Sequence, residues 1–140
     1  MSSEPLLTVD NLHTQFTTDE GVVHAVDGVS FHVDRGETVC IVGESGSGKT
    51  VASESITKLI RMPPGRIPEG TVTFDGMDLT AMDDGELKAI RGGRIAHVFQ
   101  NPQGALNPVY TVGWQIVEAI RLHRDVGKRA AREHAVELLD

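Results

Sequence analysis

The fold is decided by residues 38–50, which read TVCIVGESGSGKT. The first five residues form a continuous apolar run, which is typical of a strand buried on both faces. The run leads directly into the pattern Gly, four residues, Gly-Lys-Thr, and apolar residues at helical spacing follow from Lys49 to Arg61. A buried strand, a glycine-rich loop and a helix in this order predict a loop that binds phosphate.

This loop has a chemical reason for each residue type. Glycines let the backbone fold so that successive N–H groups point inward at an anion, and the helix that follows turns its positive end toward the same anion. Lys49 is expected to reach the β- and γ-phosphates, and the Thr50 hydroxyl to ligate Mg²⁺. A purely structural glycine-rich turn is the alternative, and the flanking strand and helix favour binding. The predicted cofactor-binding residues are Gly43, Glu44, Ser45, Gly46, Ser47, Gly48, Lys49 and Thr50.

Outward from the loop, the pattern predicts an antiparallel start, a strand–loop–helix unit and a helical tail. The start is a hairpin with a bulge at Gly28. Asp83 and Glu86 have the spacing of a capping box, and Thr111 is a candidate helix cap. The expected fold class is α/β: a P-loop NTPase core with an antiparallel β-layer and the beginning of a helical subdomain. The predicted strands are 6–16, 22–33, 38–42, 70–75 and 94–99, and the predicted helices are 49–61, 83–90, 111–123 and 128–140.

Composition narrows the class of protein. The chain has 140 residues, of which 39% are apolar and 24% are charged, and its net charge is −7. These values are ordinary for one globular domain. Because affinity for nucleic acid rests on Lys and Arg, so acidic a chain is expected to bind none.

The sequence favours a reducing, soluble setting. Cys40 is the single cysteine, so no internal disulfide is possible, and we expect it to be a small core residue of the 38–42 strand. The first ten residues show no basic segment followed by an apolar core, so no signal peptide is expected. The uncharged stretch 95–117 contains too many Pro, Asn and Gln residues for a membrane span.

Three segments together resemble the ATP-binding subunit of ATP-binding cassette (ABC) transporters. They are GESGSGKT at 43–50, GTVTFDGMDL at 70–79 and VFQNPQGALNP at 98–108. The last segment, with residues 24–50, is similar to the dipeptide and oligopeptide importer branch. The resemblance extends from about Leu6 to Asp140.

The resemblance implies roles for particular residues. Residues 43–50 would be the Walker A loop. Gln100 would be the Q-loop glutamine, which in the family helps to ligate Mg²⁺ and senses the γ-phosphate, so Lys49 and Gln100 are the candidate catalytic residues. Phe16 lies where the family has an aromatic residue that stacks on adenine. The alternatives are a core residue at a strand end for Phe16 and a loop glutamine that caps a backbone group for Gln100.

The chain also departs from the family pattern. It has no Leu-Ser-Gly-Gly-Gln-like signature, no Walker B strand ending in Asp-Glu and no switch histidine, and Gly76 follows Asp75 where a Walker B strand would have Glu. Hydrolysis of ATP by P-loop proteins requires a Walker B Asp and a group that positions water. The chain is therefore expected to be the first half or less of such a subunit, to bind Mg-ATP weakly and not to hydrolyse it alone.

The resemblance also implies partners. They are the transmembrane permease subunits, a second ATP-binding subunit and, indirectly, an extracytoplasmic solute-binding protein, with the subunit at the cytoplasmic face of the membrane. The expected domain is one N-terminal part, with the β-layer and Walker A core at about 5–100 and the helical start at about 100–140. A non-transport ABC ATPase and a stand-alone nucleotide-binding module remain alternatives.

Two further features have both a plain and a functional interpretation. Five basic residues lie within residues 121–132, and a solvated surface is the plain interpretation, a partner contact the other. Tyr110 and Trp114 follow the 101–108 loop, where we expect core packing, with docking to the membrane subunits as the alternative. The basic residues are Arg121, Arg124, Lys128, Arg129 and Arg132.

Overall fold

A computed structural model describes residues 4–139, except the side chains of residues 102 and 103. The chain divides into two compact units, Met1–Leu87 and Lys88–Asp140, called here the sheet unit and the helical unit. The elements in chain order are β1 (Leu7–Thr18), β2 (Gly21–Val33), α1 (Lys49–Ile56), β3 (Gly65–Phe74), β4 (Met77–Asp78), α2 (Asp84–Ile90), α3 (Pro102–Ala105), α4 (Val112–His123) and α5 (Lys128–Glu137).

The sheet unit is built on four antiparallel strands in the order β2-β1-β3-β4. The predicted hairpin is confirmed: Thr18 pairs with Gly21, and the register shifts between the pairs Leu12–Val29 and Thr14–Val26. That shift leaves an extra residue in β2 at Gly28, whose φ of 69° is the left-handed conformation that glycine adopts without strain. The bulge at Gly28 is therefore confirmed as well.

Residue 70 must be glycine because two strands approach closely there. Gly70 has a φ of 104°, and a Cβ atom on it would lie 2.5 Å from the carbonyl oxygen of Asn11 and 2.6 Å from the Cα of Leu12. Strand β3, which contains Gly70, starts earlier than predicted, at Gly65 rather than at Gly70. The earlier start follows from pairing, since Gly65 and Arg66 lie opposite Phe16 and Gln15 of β1.

The core of the sheet unit lies between the sheet and α1. Apolar side chains from β1, β3 and the following loop are fully buried, and burial of such side chains is the main favourable term in folding. Within this core the Oγ1 of Thr14 and the Oγ of Ser55 lie 2.8 Å apart, so a buried hydrogen bond joins β1 to α1. The buried apolar residues are Val9, Leu12, Val26, Ala52, Ile60, Val72, Phe74, Leu79 and Leu87.

α1 ends at Ile56 instead of at the predicted Arg61. Lys58 has a φ of 51°, which breaks the helical path. Its ammonium donates hydrogen bonds to the carbonyl oxygens of Thr80 and Met82, each at 2.8 Å. Tertiary contacts at the turn thus override a helical periodicity that continues in the sequence.

The two buried strands predicted at 38–42 and 94–99 are wrong for this structure. Among the described residues no strand pairs with 38–42, where Val42 is 91% exposed and Cys40 is an exposed thiol rather than a core residue. At 94–99 the sole pairing is an isolated bridge between Arg91 and Ile95, and Val98 is 99% exposed. A strand needs a neighbouring strand for its backbone hydrogen bonds, and an apolar run does not provide one.

The helical unit confirms two local predictions. The Thr111 side chain accepts a hydrogen bond from the backbone N–H of Trp114 at the start of α4. α5 begins at Lys128, as expected, and ends at Glu137, while Asp140, the last residue of the predicted helix, lies outside the described residues.

Tyr110 and Trp114 do not pack in a core. Their rings stack on each other with centroids 4.4 Å apart, and they are 50% and 44% exposed. The core-packing prediction for this pair is therefore wrong.

The capping box predicted for α2 is present in the structure. The backbone N–H of Glu86 donates to the Asp83 carboxylate at 2.8 Å, and the backbone N–H of Asp83 donates to the Glu86 carboxylate at 2.9 Å. The two bonds satisfy donors that the first turn of a helix leaves without partners.

Among the described residues no helix is both long and apolar enough to cross a membrane.

Candidate phosphate-binding site

The loop between residue 42 and α1 has the backbone that its glycines permit. Gly46 and Gly48 have φ values of 81° and 86°, and the backbone N–H of Ser47 donates to the carbonyl oxygen of Glu44 at 3.2 Å. Gly48 is the N-cap of α1 and is followed at once by Lys49 and Thr50. The loop thus leads directly into a helix N-terminus, where free N–H groups favour an anion.

The loop rests on the sheet at one point. A Cβ atom on Gly48 would lie 2.2 Å from the backbone carbonyl oxygen of Ala25 in β2, so no larger residue fits without a shift. Beyond this contact, Ala52 is buried and Ser55 is bonded to Thr14. The antiparallel sheet therefore fixes the start of α1, and the start of α1 fixes the loop. No sequence pattern signals the contact between Ala25 and Gly48, which sequence reasoning missed.

The ammonium of Lys49 lies inside its own loop. Its Nζ donates to the carbonyl oxygens of Gly43 and Glu44, at 2.8 and 2.6 Å, and to the Oγ of Ser47 at 3.3 Å. These three acceptors match the three protons of an ammonium group. The positive charge is thus held at the place where phosphate oxygens would arrive.

Ser47 is a residue whose side chain the sequence pattern left without a role. A Cβ atom on Gly43 would lie 2.6 Å from the Ser47 Oγ, so the first glycine of the motif makes room for this hydroxyl. The hydroxyl in turn accepts a hydrogen bond from Lys49. The spacing of the motif contains this signal, because residues 43 and 47 face each other across the turn of the loop.

Thr50 lies in the first turn of α1 and is exposed. No acidic residue lies in that turn, so the positive end of the helix is not neutralised from within the helix. An exposed hydroxyl next to a phosphate-binding loop is chemically suited to contact a hard cation such as Mg²⁺, which prefers oxygen ligands.

A cleft of about 660 Å³ opens beside the loop in the sheet unit. One wall is formed by residues 24–31 of β2, and the other by residues 39–43 and the start of α1. The exposed Ile41 and Val42 belong to this wall region, so the sheet unit presents apolar surface next to its most polar loop. The lining side chains include Val26, Val29, Phe31, Val39, Ile41, Val42 and Lys49.

Phe16 and Gln100 belong to other elements than the loop. Phe16 is half-buried in β1, paired with Val23 and Gly65, and its ring approaches Gly65 so closely that a Cβ atom there would lie 3.0 Å away. Gln100 belongs to the helical unit, is exposed, and directly precedes Asn101, the N-cap of α3. Adenine stacking by Phe16 and the Q-loop role of Gln100 stay predictions.

Comparison with known proteins agrees with this geometry. The family model described as "ABC transporter" matches residues 26–139. Among curated proteins, the oligopeptide transport ATP-binding protein OppD of Bacillus subtilis is 48% identical, with 96% of this chain and 38% of that protein covered. The dipeptide transport ATP-binding protein DppD of the same organism is 46% identical, with 97% of this chain and 41% of that protein covered.

A solved structure gives the same result. The dimeric structure of the ATP-binding cassette MJ0796 in a post-hydrolysis state, bound to ADP and Pi, matches with a TM-score of 0.78 and 28% identity. The match covers 94% of this chain and 54% of that one. The fold is therefore that of an ATP-binding cassette.

The chain belongs to the ABC transporter family. Within the family it groups with the oligopeptide and dipeptide transport ATP-binding proteins, and it spans about 40% of the length of the curated relatives that it matches. The predicted resemblance is confirmed, at the level of both the family and the peptide branch.

Proposed function

We propose that this chain is the nucleotide-binding part of an ABC importer for peptides, and that residues 43–50 bind the phosphates of Mg-ATP. The observation that carries the proposal is the Lys49 ammonium, held between the carbonyl oxygens of Gly43 and Glu44 at the N-terminus of α1. Positive charge and a helix N-terminus meet there, and each stabilises a polyphosphate.

The residues fit the nucleotide in a specific way. Bound Mg-ATP supplies the phosphoanhydride bond whose cleavage energises transport. In this chain the loop N–H groups would orient the phosphates, Lys49 would offset their charge, and the Thr50 hydroxyl would be a ligand for the metal. Phe16 is proposed to stack on adenine, and Gln100 to complete the metal environment near the γ-phosphate.

The remaining parts of the proposal concern the whole transporter. The relatives are named as peptide transport proteins, which favours a peptide importer over a non-transport ABC ATPase. The partners would be the permease subunits and a second ATP-binding subunit, in line with the dimeric state of the solved cassette. The exposed stack of Tyr110 and Trp114 is a suitable docking surface for the permease, and peripheral association with the cytoplasmic face of the membrane follows.

Calorimetric titration of the chain with Mg-ATP and with pyrophosphate tests the site. Lys49→Ala is expected to lower the affinity for both ligands at least about tenfold, because a hydrogen bond from a charged group contributes about this much. Lys88→Ala, which removes an exposed charge in α2, is the matched control and is expected to bind as the wild type does. Equal affinities of the wild type and Lys49→Ala would overturn the site.

Phosphate release distinguishes a nucleotide-binding part from a complete ATPase. Because the chain holds neither the signature nor a Walker B Asp-Glu pair, we expect release no faster than that of Lys49→Ala. Steady turnover that Lys49→Ala abolishes would contradict this expectation.

An uptake experiment in the source cells tests whether peptide is the cargo. Lys49→Ala in the native gene is expected to abolish uptake of a labelled dipeptide and to spare uptake of a free amino acid.

A further inference from the structure

The positive charge of the helical unit is concentrated at one end of its helix pair. Residues 88–140 contain eight Lys or Arg and five Asp or Glu, whereas residues 1–87 contain five Lys or Arg and fifteen Asp or Glu. α4 ends at His123 and α5 begins at Lys128, so the turn between them carries the basic cluster 121–132. The site proposed above uses none of these residues.

The tertiary structure adds a second basic segment to this turn. The His123 ring lies against the Gly92–Gly93 turn, where a Cβ atom on Gly92 would be 2.7 Å from its Nε2 and one on Gly93 would be 3.5 Å from its Nδ1. Arg91 and Arg94 flank that turn, so the structure brings a second segment with arginines to the basic cluster. We call this surface the arginine tip: residues 91–94, 121–129 and Arg132.

Within residues 121–132, acidic residues offset part of the positive charge. Arg129 pairs with Glu133 at 3.5 Å, and its side chain remains 94% exposed. The Nη1 of Arg124 lies 3.0 Å from the Nε2 of His134, and the Nδ1 of the same ring lies 3.2 Å from the Glu137 carboxylate. Asp125 is the acidic residue within the turn itself, and the first turn of α5 contains none, so the positive end of that helix adds to the field.

Exposed aliphatic side chains lie among these cations. Leu122 is 72% exposed and Val126 is 36% exposed, and in sequence they alternate with Arg121, Arg124 and Lys128. An acidic protein segment would pair with the cations and leave the aliphatic groups in water. An anionic lipid surface accommodates both, because phosphates meet the cations while short apolar side chains enter the headgroup boundary.

We propose that the arginine tip binds anionic phospholipid headgroups. The proposal goes beyond the proposed function and rests on it only in locating the protein at a membrane. The tip then gives the helical unit a direct contact with lipid, separate from any contact with permease subunits.

Vesicle sedimentation tests the contact without nucleotide. The chain is expected to bind vesicles of phosphatidylcholine mixed with phosphatidylglycerol, to ignore vesicles of phosphatidylcholine alone, and to dissociate as salt rises from about 0.1 M to about 1 M, where the Debye length falls from about 10 to about 3 Å. Binding to both vesicle types alike would overturn the proposal.

Charge variants assign the contact to the tip. The double variant R121Q/K128Q is expected to reduce partition onto anionic vesicles about 30-fold, since each cation contributes about a factor of five. R61Q/K88Q removes the same charge from exposed positions outside the tip and is expected to retain binding. R121K/K128R keeps the charge and is also expected to retain binding to anionic vesicles. This result would show that a loss of binding in R121Q/K128Q is not caused by misfolding. Equal losses in R121Q/K128Q and R61Q/K88Q would overturn the assignment.

Two competitors identify the source of the anion. Inorganic phosphate at millimolar concentration is expected to displace little protein, and poly-glutamate is expected to bind more weakly than the vesicles. Displacement by inorganic phosphate would indicate a small-anion site, and tighter binding to poly-glutamate would indicate an acidic protein partner; either result overturns the lipid proposal. Lys49→Ala is expected to sediment as the wild type does, so loss of nucleotide binding and loss of lipid binding are separable.

Discussion

The sheet unit and the helical unit bury their apolar side chains to different extents. In the sheet unit Leu12, Val72 and Leu79 are each 0% exposed. In the helical unit α4 contains no buried residue, and the buried residues of α5 are Ala131 and Ala135. Antiparallel strands joined by short turns find their partners within the unit, whereas amphipathic helices remain exposed until other elements cover them.

The sheet unit and the helical unit also differ in charge. The sheet unit is strongly acidic yet holds the loop proposed to bind phosphate at a locally positive helix end, while the helical unit has more basic than acidic residues. An overall charge therefore says little about a site made of backbone N–H groups and one lysine. It says more about surfaces such as the arginine tip, where the charges act together.

Truncating a core residue tests the difference in burial most strongly. Leu12→Ala in the sheet unit is expected to lower the free energy of unfolding by about 2–5 kcal/mol, because it leaves a cavity in a closed core. Leu122→Ala in the helical unit, 72% exposed in the wild type, is expected to change it by less than about 0.5 kcal/mol. Urea denaturation of the chain measures both. Similar losses in the two variants would contradict the difference in burial.

Two glycine-to-alanine substitutions, one in each unit, are expected to change the stability of the fold in opposite directions. Gly70→Ala is expected to destabilise by about 2 kcal/mol or more, since φ is 104° and β1 backbone lies 2.5 Å from the new Cβ. Gly113→Ala, in α4 with nothing within 4 Å, is expected to stabilise by about 0.5–1 kcal/mol because alanine is the better helix former. Thermal unfolding followed by circular dichroism detects each shift, and a stabilising Gly70→Ala would refute the close approach of β1 and β3.

The buried hydroxyl pair gives a smaller effect. Thr14→Val is expected to cost about 1 kcal/mol, because it removes the bond to Ser55 while Ser55 keeps its bond to the carbonyl oxygen of Val51, 2.6 Å away. Thr18→Val is the control. Thr18 also lies in β1, and its exposed hydroxyl donates a hydrogen bond to the carbonyl oxygen of Gly21. Loss of that bond is expected to lower the free energy of unfolding by a smaller amount. A larger loss for Thr18→Val would show that β1 and α1 are not joined in this way.

The smallest expected effect depends on pH. Hydrogen bonds from the Thr80 side chain and then from the backbone N–H groups of Thr80 and Ala81 hold the pKa of Asp78 below its usual 3.8. A lowered pKa in the folded state stabilises the fold above the unfolded-state value, and the stabilisation is lost as the pH falls through the folded value. Asp78→Asn is therefore expected to be less stable than the wild type at neutral pH, with the gap closing below pH 3.8. A gap that widens in acid would reverse the assigned sign.

Much of the local structure could be predicted from short stretches of sequence. The bulge at Gly28, the capping box of Asp83 and Glu86, and the Thr111 cap each depend on a few neighbouring residues, and all three are present. The conformation of the loop at residues 43–48 is of the same kind, since it follows from Gly46 and Gly48. Such features need no distant partner, so their signals are complete in the sequence.

Most of the predictions that failed required a distant partner. An apolar run at 38–42 indicates burial but does not supply the strand that would pair with it, and the same holds for 94–99. Tyr110 and Trp114 have the composition of a core, yet they stack on each other at the surface.

By itself, the sequence determined that this is an ABC family chain with the loop proposed to bind phosphate at residues 43–50, because a glycine loop, a lysine and a helix start are local and chemically specific. Only the tertiary structure decided that Gly48 rests on the carbonyl oxygen of Ala25, that Lys49 is bonded within its own loop, and that His123 brings residues 91–94 to the basic turn. The first and the third of these contacts join segments far apart in the chain. Their geometry depends on strand register and helix packing, which no short stretch of residues encodes.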